Sequence, residues 1–157
     1  MEFTHLNPEG KARMVDVTSK DETIREARAR AKVILSRTTL DLLKEGGIKK
    51  GDVLTVAQIA GIQAAKKAWE LIPLCHSIPL GFVEVNFFPN EEEGSIEVES
   101  VVRTKGQTGV EMEALVSCAI AALTIYDMCK SAQRGIRISD LRVVFKTGGK
   151  SGTFKGD

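Results

Sequence analysis

Apolar positions fall along the chain in blocks whose spacing changes from one to the next, and each block predicts an element. Residues 14–17, Met-Val-Asp-Val, alternate and predict a short strand. Ser19-Lys20-Asp21-Glu22 has the form of a helix capping box. The run over 23–36 carries Ala27, Ala31, Ile34 and Leu35 at helical spacing, so a helix is expected there. A short second helix over 38–44 ends at Gly46-Gly47. Asp52 reads as the N-cap of a longer helix, with Val53, Val56, Ala57, Ala60, Ala64 and Ala68 on small apolar faces and Leu71-Ile72-Pro73 closing it. From 80 to 88 the period drops to two, through Phe82, Val83, Val85 and Phe87. An acidic turn over 89–94 precedes a second such run over 95–105, with Ile96, Val98 and Val101. The pair is a hairpin, so the sheet is at least partly antiparallel. Thr108-Gly109-Val110-Glu111 reads as another capping box, opening a long apolar helix to about residue 132 that Gly135 stops. A last strand over 136–145 leads into a glycine-rich loop over 147–152. The order strand, helices, hairpin, helix, strand predicts an α+β fold with helices packed on one face of an antiparallel sheet.

Length and composition narrow the setting. A chain of 157 residues, 43% hydrophobic, is expected to form one domain over 1–157, with 1–12 and 148–157 flexible. A site needing more walls than one small domain supplies is expected between subunits. Basic and acidic residues nearly balance, 22 against 21, which leaves no global field for nucleic acid or an anionic membrane. No uninterrupted apolar run reaches membrane-spanning length. Cys75, Cys118 and Cys129 are widely spaced and odd in number, so reduced cytosolic thiols are expected rather than a disulfide framework or a zinc site.

Five groups of residues could carry chemistry. Asp127 and Lys130 are three apart on the long helix, share a face, and could act as base and acid. The same spacing also makes an ordinary solvated ion pair, but no charged residue lies between Leu115 and Ile125. Glu111 and Glu113 open that helix, where carboxylates are favoured by the helix dipole alone. Glu113 projects within about 40° of Asp127 but about 21 Å from it along the axis, so both cannot touch one small ligand in one subunit. Leu74-Cys75-His76 forms a turn after a proline-terminated helix; no second Cys/His pair exists to complete a metal site. His76 suits a phosphate, or a backbone carbonyl equally well. Lys20, Arg25, Lys49, Lys50, Lys66, Lys67, Lys146 and Lys150 sit mostly at element ends and could converge on an anion or simply solvate the surface. Gly149-Lys150-Ser151 copies the end of a phosphate-binding Walker loop, but Val144 stands where that loop needs glycine, and too few residues follow for its helix. A backbone nest for phosphate and a flexible tail remain as readings of 147–152.

Taken in order, these segments resemble the cyclic pyranopterin monophosphate synthase family, also called molybdenum cofactor biosynthesis protein C. The matching stretches are Met14-Val15-Asp16-Val17 with Lys20, Thr23 and Arg25; Lys50-Gly51-Asp52; Ala60-Gly61-Ile62-Gln63-Ala64-Ala65-Lys66; Leu71-Ile72-Pro73-Leu74-Cys75-His76; Thr108 through Leu115; Ala122 through Lys130; and Gly148-Gly149-Lys150-Ser151-Gly152. Ser77 stands where the family usually has proline, and Thr147-Gly148-Gly149 where it often has Ser-Gly-Gly. The resemblance implies a ferredoxin-like subunit in a cytoplasmic homohexamer, a trimer of dimers with interfacial active sites. It implies a lyase that converts 3′,8-cyclo-7,8-dihydro-GTP to cyclic pyranopterin monophosphate and diphosphate, with no metal or organic cofactor required for the rearrangement and magnesium left open as a companion of the triphosphate. Asp127 and Lys130 match the catalytic pair. Leu74, Cys75, His76, Glu111, Met112 and Glu113 match substrate-binding positions. Lys20, Arg25, Lys50, Lys146 and Lys150 are assigned to the departing diphosphate. Lys66 or Lys50 beside Lys130 is expected to lower its pKa. The rival expectations are a non-catalytic nucleotide-binding ferredoxin-like module, a P-loop phosphotransferase and a structural oligomeric protein.

Overall fold

In the computed structural model, which describes residues 3–157, the first long element is a strand and not the expected helix. This strand, β1 (Thr23–Ile34), buries Ala27, Ala29, Ala31 and Val33 completely, at a period of two. Arg28, Arg30 and Lys32 take the other face. Alanine's helix propensity favours the expected helix; the Arg/Ala alternation, which a helix would scatter around its circumference, decides for a strand. Ser19 to Glu22 therefore caps nothing, and Lys20 N–H closes a turn onto Val17 O at 3.0 Å. Residues 13–17 belong to no strand.

The remaining elements follow as α1 (Arg37–Lys44), α2 (Val53–Lys66), α3 (Ala68–Leu71), β2 (Phe82–Asn90), β3 (Ser95–Gly106), α4 (Glu111–Cys129), β4 (Arg137–Thr147) and β5 (Phe154–Lys155). Asp52 caps α2 as expected, its Oδ1 accepting from Thr55 N at 3.2 Å. The expected single helix breaks at Lys67, so α3 is separate. The second capping box also fails. Val110 is the N-cap of α4, with no side-chain cap.

All strand pairs are antiparallel, in the order β2-β3-β1-β4-β5. The first four strands are two interleaved split β-α-β units, the ferredoxin-like α+β arrangement. One face of the sheet is covered by α2 and α4. Beneath them lie the alanines of β1 and Ile96, Val98, Ser100, Val102 and Thr104 of β3, all buried. The small β1 side chains let α4 come close. Gly61 does the same where α2 crosses α4: a Cβ there would stand 2.9 Å from Val85 Cγ2 and 3.1 Å from Ser117 O. The opposite face carries cross-strand ion pairs, including Arg30 to Glu99 at 2.7 Å and Arg142 to Glu97 at 3.2 Å.

Although α4 is long and apolar enough to cross a bilayer, it is the core helix of this layer, against the sheet on one side and α2 on another. Its outward stripe is also apolar, through Met112, Val116, Ala119, Ile120 and Leu123, and it ends in Asp127 and Lys130. Leu123 is 51% exposed.

Candidate active site

The start of β1, the end of β3 and the end of β4 lie side by side, since Thr23 pairs with Gly106 and Glu26 with Thr147. The N-terminus of α4 follows directly from β3, so it opens at this same edge. Two clefts meet there, sharing Lys20, Thr108, Gly109 and Glu111.

The first cleft, of 560 Å³, is net cationic, with Lys20, Arg25, Lys146 and Lys150 against Asp21 and Glu111, beside Gly149 and Ser151. Four of the cations assigned from sequence to phosphate thus converge. Arg25 is only 8% exposed, with its Nε donating to Gly106 O at 2.9 Å and a terminal nitrogen to Gln107 O at 3.3 Å. It has no carboxylate partner among the described residues, and a buried guanidinium in that condition favours an anion nearby. The glycine loop closes over it. Gly148 has φ +105°, and a Cβ there would lie 2.5 Å from Ile24 O; a Cβ on Gly149, at φ +76°, would run into the guanidinium itself. That close approach explains the paired glycines, and β5 then ties the chain beyond them back to β4.

The second lobe, of 330 Å³, is lined by Leu74, Cys75, His76, Glu111, Met112 and Glu113, every substrate-binding position expected from those two segments. Glu113 is buried at 3% exposure, and burial holds its carboxyl above the usual range. Cys75 donates to Glu113 Oε2 at 3.5 Å. Burial, then the Glu113 charge, pushes the Cys75 thiol up to about 12, so it stays protonated and unreactive. His76 Nε2 lies 2.6 Å from Val15 O; a carbonyl only accepts, so the proton is on Nε2. Glu111 does not cap its helix. Its carboxylate turns back over Gly109, where any Cβ would collide with it, and Lys146 Nζ lies 2.8 Å from Oε1, an ion contact without hydrogen-bond alignment. Thr108, Gly109 and His5 also line this lobe and were missed in the sequence reading. Among the described residues no three His, Cys, Asp or Glu side chains group as a metal centre.

Asp127 and Lys130 stand at the other end of α4, about 21 Å from Glu113 at 1.5 Å per residue. Lys130 Nζ is 2.9 Å from Asp127 Oδ1, and Lys50 Nζ is 3.1 Å from Oδ2 and 3.1 Å from the Asp127 carbonyl. Hydrogen bonds from Lys130, then Lys50, hold the Asp127 carboxyl below the usual range. The hydrogen bond from Lys130 to Asp127 holds the ammonium above its usual range. The expectation of a depressed Lys130 pKa is thus overturned, because the near carboxylate outweighs the second cation. At rest the pair is a charged base and a charged acid. Lys50 joins it, whereas Lys66 lines a separate groove along 78–83 and forms no ion pair with Asp127.

A larger concavity, 770 Å³, lies elsewhere, at the β2–β3 turn. Glu91, Glu92, Glu93 and Glu97 line it, and its Arg30 and Lys32 are already paired with Glu99 and Glu93. Such a surface repels phosphates, so the two smaller clefts are the better candidate.

A cationic cleft opening into a lobe of carboxylates and imidazoles, on a ferredoxin-like fold, suits a polyanionic ligand with N–H groups to offer. The chain belongs to the MoaC family, whose profile matches residues 14–149. It is also 53% identical, over 155 residues, to the cyclic pyranopterin monophosphate synthase of Peptoclostridium acidaminophilum, covering 99% of this chain and 98% of that protein.

Proposed function

We propose that this protein is a cytoplasmic cyclic pyranopterin monophosphate synthase, a lyase of molybdenum cofactor biosynthesis that acts on 3′,8-cyclo-7,8-dihydro-GTP and releases diphosphate. The observation that carries the reading is the joined pair of clefts. Lys20, Arg25, Lys146 and Lys150 suit a triphosphate and offset the charge that grows on departing diphosphate. Glu111 and Glu113 accept hydrogen bonds from the N–H groups of the purine-derived end. Asp127 and Lys130 supply the proton transfers of ring rearrangement, with Asp127 poised to accept and Lys130 to donate.

The distance along α4 supports a site whose two halves come from different subunits. Ile120 lies midway between Glu113 and Asp127. A two-fold axis there sets α4 antiparallel to α4 of a second copy, covers the apolar stripe, and places Asp127 of that copy over Glu113. This isologous dimer completes two sites at once and is the unit from which a hexameric trimer of dimers is built.

The test supplies the purified protein with the cyclised dihydro-GTP and follows pterin product and diphosphate, with Asp127→Asn alongside. Turnover by the wild type and its loss in the variant, with binding kept, support the synthase. Binding by the wild type without diphosphate release replaces it with a non-catalytic nucleotide-binding module.

A further inference from the structure

We propose that His5 contacts the substrate, because the N-terminal arm folds into a strap that lays this imidazole into the carboxylate lobe. The identity of the ligand rests on the synthase reading above; the placement of His5 does not.

The strap is built by backbone pairing. Leu6 and Ala12 form an antiparallel bridge, Asn7 N–H donates to Lys11 O at 2.8 Å, and Gly10 N–H donates to Asn7 O at 2.9 Å. The Asn7 side chain accepts from Lys11 N–H at 2.8 Å, and Gly10 takes φ +78° to close the turn. Arg13 N–H donates to His5 O at 2.8 Å, so the backbone of His5 is pinned to the returning segment. The strap is then clasped to the site. His76 donates to Val15 O, and Gln107 Nε2 donates to Thr18 O at 3.3 Å and to Lys20 O at 3.2 Å. The expected arm is thus held by the lobe it covers.

The chemistry of the lobe gives His5 its task. Glu111 and Glu113 as carboxylates only accept, His76 has its Nε2 proton committed to Val15, and the Cys75 thiol proton is committed to Glu113. Lys20 and Thr108 stand at the junction with the cationic cleft. A purine-derived ring presents a carbonyl oxygen as well as N–H groups. Among the described residues the His5 ring makes no hydrogen bond, and it alone brings an uncommitted imidazole donor to this lobe. It is exposed, so its ring supports no core packing.

The experiment compares full-length wild type, His5→Ala, His5→Asn and Asn7→Ala, measuring equilibrium binding of the cyclised dihydro-GTP, KM, kcat and thermal melting. Loss of one ligand hydrogen bond predicts about tenfold weaker binding and higher KM in His5→Ala, with kcat within about twofold. The melting temperature stays unchanged. His5→Asn keeps a donor and recovers most of the loss; Asn7→Ala loosens the strap and falls between. Unchanged binding and KM in His5→Ala overturn the proposal, as does an equal loss in His5→Asn accompanied by a lower melting temperature. If the wild type binds the nucleotide without converting it, the synthase reading fails while the binding comparison still decides His5. If the wild type does not bind it, both fall.

Discussion

Mixing two inactive variants tests the division of the site between subunits. Asp127→Asn removes the proposed base at one end of α4, and Glu113→Gln removes a carboxylate at the other, about 21 Å away. Each variant alone is expected to be inactive. In a mixed dimer, one site combines the intact Glu113 of the first chain with the intact Asp127 of the second, and the other site carries both lesions. Random reassociation makes about half the dimers mixed, so about one quarter of wild-type activity returns. The contact can be weighed as well. Burying a leucine side chain fully is worth about 1.5–3 kcal/mol, and Leu123 still has half its surface to lose. That leaves about 1 kcal/mol per copy, about 2 kcal/mol per two-fold contact, and a dimer weakened roughly 30-fold in Leu123→Ala. The assay is diphosphate release after co-refolding or subunit exchange, with native mass spectrometry to count mixed oligomers and sedimentation to follow dissociation of Leu123→Ala. If mixed oligomers form and activity stays at the level of the parents, the site lies within one chain and the reasoning fails.

Gly61→Ala should destabilise the fold by about 1–2 kcal/mol in urea unfolding, because overpacking against the immobile Ser117 carbonyl outweighs the gain of up to about 1 kcal/mol in helix propensity; a more stable variant would refute that ordering. Lys50→Gln should move the acid limb of the pH–rate profile to higher pH. Asp127 is held below 3.8 first by Lys130 and then by Lys50, so losing Lys50 lets the carboxyl rise part of the way back. For the same reason the ion pair stabilises the fold above the unfolded value of 3.8, and this is lost as pH falls through the lower folded value. An unmoved acid limb means that Asp127 does not set it.

Residue spacing announced the hairpin, the Asp52 cap, the long apolar helix and the final strand, since each rests on contacts within a few residues. The first long element was misread because alanine serves a helix by propensity and a strand by its small size under a packed helix. The Arg/Ala alternation was visible in the chain, but only the α4 layer above it makes small inward residues favourable. The failed capping box at Thr108 has a similar cause. Its Glu111 is drawn away by Lys146, a residue that only the β4 register brings near.

By itself, the sequence determined the α+β class, the two carboxylate groups on one helix and the segments of family resemblance. These are properties of local pattern and residue type. Tertiary structure alone decided that Lys20, Arg25, Lys146 and Lys150 share a cleft while Lys66 does not, because antiparallel register joins the ends of strands far apart in the chain. It also brought a second cation to the ion pair at the end of α4. Spacing brings Lys130 to Asp127, but the fold adds Lys50 across 77 residues, and electrostatic interaction follows distance in space, not position along the chain.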